Sequence, residues 1–353
     1  MECDGDEFSW DFQQNELIRV NGQDLEEAYD SYCQYWQTKF FELHINEEEL
    51  NRQFIDIYGL QDELTPVVAL KDITILKEET TIKKDALVFR ENEIMAQFIS
   101  YAVGCMFGRY SLDKPGLILA NQGESLEDYV KKVYDAEKPP SGVWGIDDDN
   151  VIPILDNEWF EDDIVNRFYE FLKATFGKPH FDKNLAFLED SVGDMRKYFL
   201  KTFYTDHVKR YKKRPIYWLF SSPSGAFNAL IYMHRYTPDT LNTMLNGYLK
   251  EYREKLQAQS TQLDHVKNVG TDREKVTAEK EQARINKVLI ELQEYDRELF
   301  KIATARISID LDDGVLVNYN KFGNVIKSVS GLNDKKAKDK VKKFDWIDAS
   351  TIQ

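Results

Sequence analysis

Large apolar residues recur at intervals of four and three along two long stretches of this chain. Leu241, Leu245, Tyr248, Tyr252 and Leu256 make the first series, and Val288, Leu292, Tyr295, Leu299 and Ile302 the second. That period keeps one face of a helix apolar along its length. Between the series Asn268-Val269-Gly270 interrupts the pattern, and Thr271 with Glu274 three residues on forms a capping box for the second helix. The expectation is a long antiparallel helical hairpin whose arms, at ~1.5 Å per residue, reach about 40 Å each. Its polar middle, residues 257–282, is expected to project into solvent.

The same period appears near the start. Leu25, Tyr29, Tyr32, Trp36, Phe40 and Leu43 predict a helix from Asp24. Asn46 with Glu49 predicts a second helix, which runs through Leu50, Phe54 and Ile57 to a left-handed stop at Gly59, with Glu47, Glu48 and Glu49 in its first turn. Residues 67–76 read as an extended connector. A helix opening at Asp85 or Asn92 then puts Ile94, Phe98, Tyr101 and Cys105 on one face. Residues 111–163 are rich in Pro and Gly, and read as loops around one short helix capped by Ser125 and Asp128. Helices are expected again over 158–176 and 194–208.

A different pattern occupies residues 209–236. Two apolar-aromatic runs, 216–220 and 226–233, flank Ser221-Ser222-Pro223-Ser224-Gly225, which favours a tight turn. The prediction is a β-hairpin. Near the end, Ile307, Ile309 and Leu311, then Val315 and Val317, alternate about Asp312-Asp313-Gly314 and predict a short β unit. Residues 335–343, KKAKDKVKK, form a lysine-rich tail. The fold class expected is α+β, predominantly helical. Its segments are a helical N-terminal part (1–80), a mixed α/β middle with the β-hairpin (81–237), the antiparallel helical hairpin (238–305), and the β unit with the tail (306–353).

Charge sharpens this picture. The 353 residues carry a net −16, yet Lys209, Arg210, Lys212, Lys213 and Arg214 put five cations within six positions. Residues 1–60 hold fifteen Asp and Glu against three Lys and Arg, whereas 164–214 hold twelve basic residues against six acidic ones. An acidic body with one basic face steers a polyanion to that face alone. No apolar run approaches ~18 residues, so no membrane span is expected. The acidic, aromatic start is unlike a secretory signal. Three distant cysteines (Cys3, Cys33 and Cys105) point to reduced thiols in the cytoplasm.

Catalytic patterns are missing. There is no GxxxxGK[ST] and no GxGxxG after a strand. The acidic group at 147–149 could bind a divalent ion but reads more readily as a solvated loop, and Asp310-x-Asp312-Asp313-Gly314 reads as a turn. The serines at 221–224 lack a nucleophile elbow. No catalytic residue and no metal ligand is assigned.

Four strings carry a resemblance: NRQFIDIYGLQDELTP (51–66), ISYAVGCMFGRYSLDKPGLILANQGE (99–124), KRPIYWLFSSPSGAFNALIYMHRYTPDTL (213–241) and DLDDGVLVNYNKFG (310–323). Together they resemble the C-terminal region of the PglX family, the adenine-specific DNA methyltransferases of BREX phage-defence systems. The resemblance implies a parent polypeptide with an S-adenosylmethionine-binding domain and an Asn-Pro-Pro-Tyr catalytic motif. That motif is absent here, where Pro139-Pro140 stands between Lys138 and Ser141. No cofactor is therefore expected in this chain, S-adenosylmethionine being the parent's.

What the resemblance implies is a DNA-recognition and scaffolding region of an adenine-N6 methyltransferase. Its expected partners are double-stranded DNA and other BREX proteins or the catalytic domain. On that expectation Lys209, Arg210, Lys212, Lys213 and Arg214 contact phosphates, and bases are read by polar side chains such as Asn228, His234 and Arg235 or by residues of the 111–163 loops. Tyr217 and Trp218 either stack on a flipped-out adenine or pack in the core. The alternative is a protein-interaction module that docks other BREX components or a separate catalytic domain, without DNA affinity of its own.

Overall fold

The computed structural model describes residues 7, 9, 11–20, 22–135 and 145–353, so Cys3 and Pro139-Pro140 lie outside the described residues. The first elements in chain order are helices α1 (Glu16–Arg19) and α2 (Leu25–Tyr58), strands β1 (Thr80–Lys83) and β2 (Ala86–Phe89), and helices α3 (Glu91–Met106) and α4 (Leu126–Tyr134). Strand β3 (Ile152–Pro153) follows, then α5 (Ile164–Phe176), α6 (Phe181–Val192), α7 (Met195–Tyr198) and α8 (Tyr204–Arg210). The remainder comprises β4 (Tyr217–Ser221), β5 (Asn228–Tyr232), α9 (Thr240–Thr243), α10 (Lys250–Val269), α11 (Asp272–Thr304), α12 (Val315–Tyr319) and α13 (Lys335–Val341). The fold is predominantly helical α+β, as the sequence pattern predicts. The chain forms two compact units: residues 1–105, 110–117 and 169–195 make one, and 106–109, 118–168 and 196–353 the other.

In the first unit α2 is one continuous helix of 34 residues, not two. Asp24 caps it, its side chain accepting from the Glu27 amide, and Gly59 ends it at φ +67°. The predicted restart at Asn46 fails because a capping residue acts only where the chain enters from an extended conformation. No Gly or Pro lies between Leu25 and Tyr58 to break the ladder, so Glu47, Glu48 and Glu49 sit in mid-helix. A β1–β2 hairpin, absent from the sequence reading, follows it. Its turn residues Lys84 and Asp85 both have positive φ, the conformation that matches the twist of paired strands. Helix α3 then opens at Glu91 and buries Ile94, Phe98, Tyr101 and Cys105.

The second unit is built on a three-stranded antiparallel sheet in the order β3-β5-β4. Tyr217 pairs with Tyr232 and Ser221 with Asn228, so the predicted β-hairpin forms over β4 and β5. All ten strand residues are buried. Gly225, at φ +78°, closes the turn by donating its amide to the Ser222 carbonyl. The other edge of β4 is taken by a late segment. The Ser221 amide donates to the Val325 carbonyl at 3.0 Å and the Lys327 amide to the Leu219 carbonyl at 2.8 Å.

The helical hairpin is α10 and α11, broken at Gly270 and restarted by the Thr271–Glu274 capping box, as predicted. A π-helical stretch, Met244–Leu249, leads into α10. Glu291 holds the turn between β4 and β5, accepting from the Ser224 amide and hydroxyl. Arg284 pairs with Asp156 at 3.0 Å, and Arg253 pairs with Asp296.

The predicted C-terminal β unit is not formed. Residues 311–322 coil through a 3-10 turn (Leu311–Asp313), α12, and a second 3-10 turn (Asn320–Phe322). Gly314 at φ +82° turns the chain into α12, burying Val317, Tyr319 and Phe322, and the free edge that a strand would pair with is occupied by residues 325–327. The lysine-rich tail begins as α13, capped by Asp334 and anchored by the buried Ala337 and Val341. Among the described residues no helix is long and apolar enough to cross a membrane.

Candidate nucleic-acid interface

Helix α8 delivers the chain to a tight knuckle at 209–214. The Lys212 amide donates to the Lys209 carbonyl, Lys213 to Val208 at 2.8 Å, and Arg214 to Tyr211 at 2.7 Å. Lys212 and Lys213 are consecutive left-handed residues, at φ +49° and +61°. L side chains reach that region at a cost of about 1–2 kcal/mol each, so surrounding contacts must hold it. The consequence is exposure: Lys209, Lys212, Lys213 and Arg214 are exposed and Arg210 half-buried. None of the five makes an ion pair among the described residues.

His207 anchors the knuckle from beneath. Its Nε2 accepts from the Ile216 and Tyr217 amides, both at 3.2 Å, where β4 begins. Its ring lies 4.5 Å from that of Tyr211 and 4.9 Å from that of Tyr217. Burial, with Arg210 and Arg109 nearby, pushes its pKa down to about 3, so it stays neutral and its Nε2 stays an acceptor.

The other predicted residues divide. Tyr217 and Trp218 are each 1% exposed. Tyr217 stacks on Phe107, and the Trp218 indole donates to the Pro215 carbonyl at 2.9 Å. Of the two roles considered for these rings, core packing is the one they have here. Asn228 is also buried. Its amide donates to the Gly225 carbonyl at 2.8 Å and the Ile154 carbonyl at 3.3 Å, tying the turn to the neighbouring strand. Arg235 is buried too, donating to the Phe107 and Asp148 carbonyls at 3.3 and 3.2 Å. His234 is half-buried on the Tyr232 ring, and burial lowers its pKa to about 4. The five cations thus share one exposed turn, while Asn228, Arg235, Tyr217 and Trp218 are turned into the fold.

The acidic loops differ most from expectation. Asp147 is buried, with Arg167 at 2.6 Å, and Asp163 is fully buried with Arg196 at 2.9 Å. The Tyr248 hydroxyl donates to Asp149 at 2.9 Å and to Asp162 at 2.6 Å. Burial pushes the Asp147 carboxyl up to about 7, against the opposing pull of Arg167. This is a buried ionic network rather than a solvated loop. No local pattern announces it, because its partners are 20 to 99 residues apart. Among the described residues no group of three or more His, Cys, Asp or Glu could hold a metal ion. The described sheets are small and antiparallel.

No family model matches the chain. Over 351 residues it is 35% identical to the adenine-specific methyltransferase BrxX of Escherichia coli O9:H4 (strain HS), which takes in 92% of this chain and 28% of that protein. Over 333 residues it is 37% identical to the adenine-specific methyltransferase PglX of Lacticaseibacillus casei (strain Zhang), covering 89% of this chain and 26% of the relative. The chain therefore spans a little over a quarter of the length of the curated relatives it matches. Their homology bears out the resemblance carried by the four strings.

Proposed function

We propose, from homology with part of two adenine-specific methyltransferases, that this chain is a DNA-recognition and scaffolding region corresponding to the C-terminal part of a BREX methyltransferase. The observation that carries the reading is the knuckle. Five cations stand without ion-pair partners among the described residues, on a protein of net charge −16 and on a strained backbone held by the buried His207. Exposed, unpartnered cations on a fixed frame suit phosphates, which position a duplex without reading it. On this account Asn228 and Arg235 stiffen the support, and base reading falls to His234 and to loops of the 111–163 stretch. Methyl transfer and the binding of S-adenosylmethionine belong to the catalytic domain, and the work is done on double-stranded DNA in the cytoplasm.

Replacing Lys209, Lys212 and Lys213 together by Ala tests this reading. Each lost phosphate contact lowers the salt slope of duplex binding by about 0.9, so the triple variant should lose about 2.7 and bind more than about tenfold weaker near 100 mM salt. Unchanged affinity and slope in a shift assay would sink it. Radiolabelled methyl transfer to DNA by this chain alone would overturn the division of labour.

A second reading, as a docking module without DNA affinity, draws on helix α2. Leu50, Phe54, Ile57 and Tyr58 are exposed there at positions i, i+4, i+7 and i+8, beside the acidic Glu49 and Asp56. Co-purification with BREX proteins, coupled with no duplex binding, would favour it.

A further inference from the structure

The knuckle has a neighbour that is remote in sequence. Residues 325–327 run antiparallel along β4, with Val325 bonded to Ser221, Ile326 bridging Phe220, and Lys327 bonded to Leu219. Each step forward in this segment is a step back along β4 toward its first residue. The Tyr295 and Tyr319 hydroxyls fix it there, donating to the Val325 and Lys327 carbonyls at 2.7 and 2.6 Å. Continuing in that direction brings the chain to Gly331, which lies against Lys213. A Cβ at Gly331 would stand 3.1 Å from the Lys213 ammonium nitrogen. Gly331 has φ +83°, and its amide donates to Asp334, the residue that caps α13.

Helix α13 thus starts four residues from a point in contact with the knuckle, at most about 14 Å of chain away. Its seven residues add only about 10 Å. Residues 325–343 carry seven lysines against two aspartates, and Asp334 is occupied with the Ala337 and Gly331 amides. Ala337 and Val341 face inward, while Lys336 and Lys340 of α13 and Lys343, two residues past its end, are exposed at i, i+4 and i+7. Like charges at that spacing repel one another, and an anion lying along them would relieve this. None of these lysines makes an ion pair among the described residues. The basic cluster at 209–214 and the one at 335–343 are more than 120 residues apart in sequence, and in the structure Lys213 of the first lies against Gly331, four residues before the second begins.

We propose that α13 and the knuckle form one composite surface for the phosphate backbone of duplex DNA, with Gly331 as the seam between them. The proposal rests on the DNA-recognition reading and extends its contact surface to Lys336, Lys340 and Lys343. The combined reach, at most about 25 Å to the end of α13 and about 32 Å to Lys343, is less than one turn of a B-form duplex, about 34 Å, so both clusters can engage one stretch of backbone. Gly331 suits the seam because its φ of +83° is strained for any L side chain, and a Cβ there would crowd the end of the Lys213 side chain.

The test is fluorescence anisotropy with a labelled duplex of about 30 base pairs over a salt series. It compares the full chain with Lys209/Lys212/Lys213→Ala, with Lys336/Lys340/Lys343→Ala, and with the combination. The composite surface predicts that the helix triple also lowers the salt slope by about 2–3 and weakens binding about tenfold or more, and that the combination loses about the sum of the two slopes. Gly331→Glu, which sets a carboxylate against Lys213, should weaken binding while α13 keeps its lysines. Thermal unfolding should be unchanged for the helix triple, since all three side chains are exposed.

A helix triple that binds like the unmodified chain, beside a knuckle triple that does not, overturns this proposal and leaves the DNA-recognition reading standing. If neither triple alters binding, both fall. Loss of binding to vesicles containing phosphatidylserine with unchanged duplex binding would assign α13 to lipid and also overturn it.

Discussion

The second unit holds two dense charge clusters that look alike in sequence and are opposites in the fold. Of the carboxylates of 147–163, Asp147, Asp149, Asp162 and Asp163 are drawn inward, where Arg167, Arg196 and Tyr248 meet them, and the other four are exposed. The cations of 209–214 lead through a left-handed turn at Lys212 and Lys213 and form no ion pair among the described residues, although Lys213 lies against Gly331 and Arg210 is half-buried. The first cluster is bound up in the stability of the fold, and the second is free to act on something else. Charge density alone does not separate the two cases. What separates them is whether partners exist within the fold, and how far the backbone must be constrained to present the charges.

The largest effect that can break this comparison is expected at Arg196. Arg196→Ala leaves Asp163 buried without its partner, and should cost about 3–5 kcal/mol in urea unfolding. The knuckle triple should unfold at the midpoint of the unmodified chain. Equal stability of both variants would mean that the two clusters do not differ in the way described.

A pH dependence comes next in size. The Asp147 carboxyl, raised to about 7 from its ordinary 3.8, holds its proton more tightly in the folded state. Its contribution is fully present below the ordinary value and is lost as pH rises through about 7. Stability of the unmodified chain should therefore decline between pH 4 and pH 7, and Asp147→Asn, which still offers Arg167 an acceptor, should flatten that decline. A slope identical in the two proteins would argue against a raised Asp147.

The smallest effect sharpens the other half. Lys212→Gly and Lys212→Ala remove the same charge, but only Gly relieves the left-handed backbone, so Gly should be more stable than Ala by about 1 kcal/mol. Both should weaken duplex binding alike. A fold that gains from Gly while binding loses from either change would identify the strain as a cost of presenting cations.

Much of this architecture is visible in local patterns. The four-three repeat with the Thr271–Glu274 box gives the helical hairpin, and the two aromatic runs give β4 and β5. Failures occur where the deciding contact is distant. Val315 and Val317 alternate like a strand, but the edge they would need is taken by residues 325–327. Asn46 and Glu49 carry a helix-start signal inside a helix that never stops. The exposed half of the candidate site was legible as a run of cations. Its support was not, because His207 reaches forward to Ile216 and Tyr217, and Gly331 meets Lys213 from the far end of the chain.

The bond from Glu291 to the turn at Ser224 gives the helical hairpin a mechanical character. With Arg284 held by Asp156, the root of α11 is clamped to the sheet unit at two points seven residues apart. From Arg284 back to Asp272 the helix runs on for twelve residues, about 18 Å, as an arm beyond its clamp. A load applied at Gly270 would act as torque on Ser224, at the far end of the same hairpin whose first strand begins at the basic knuckle.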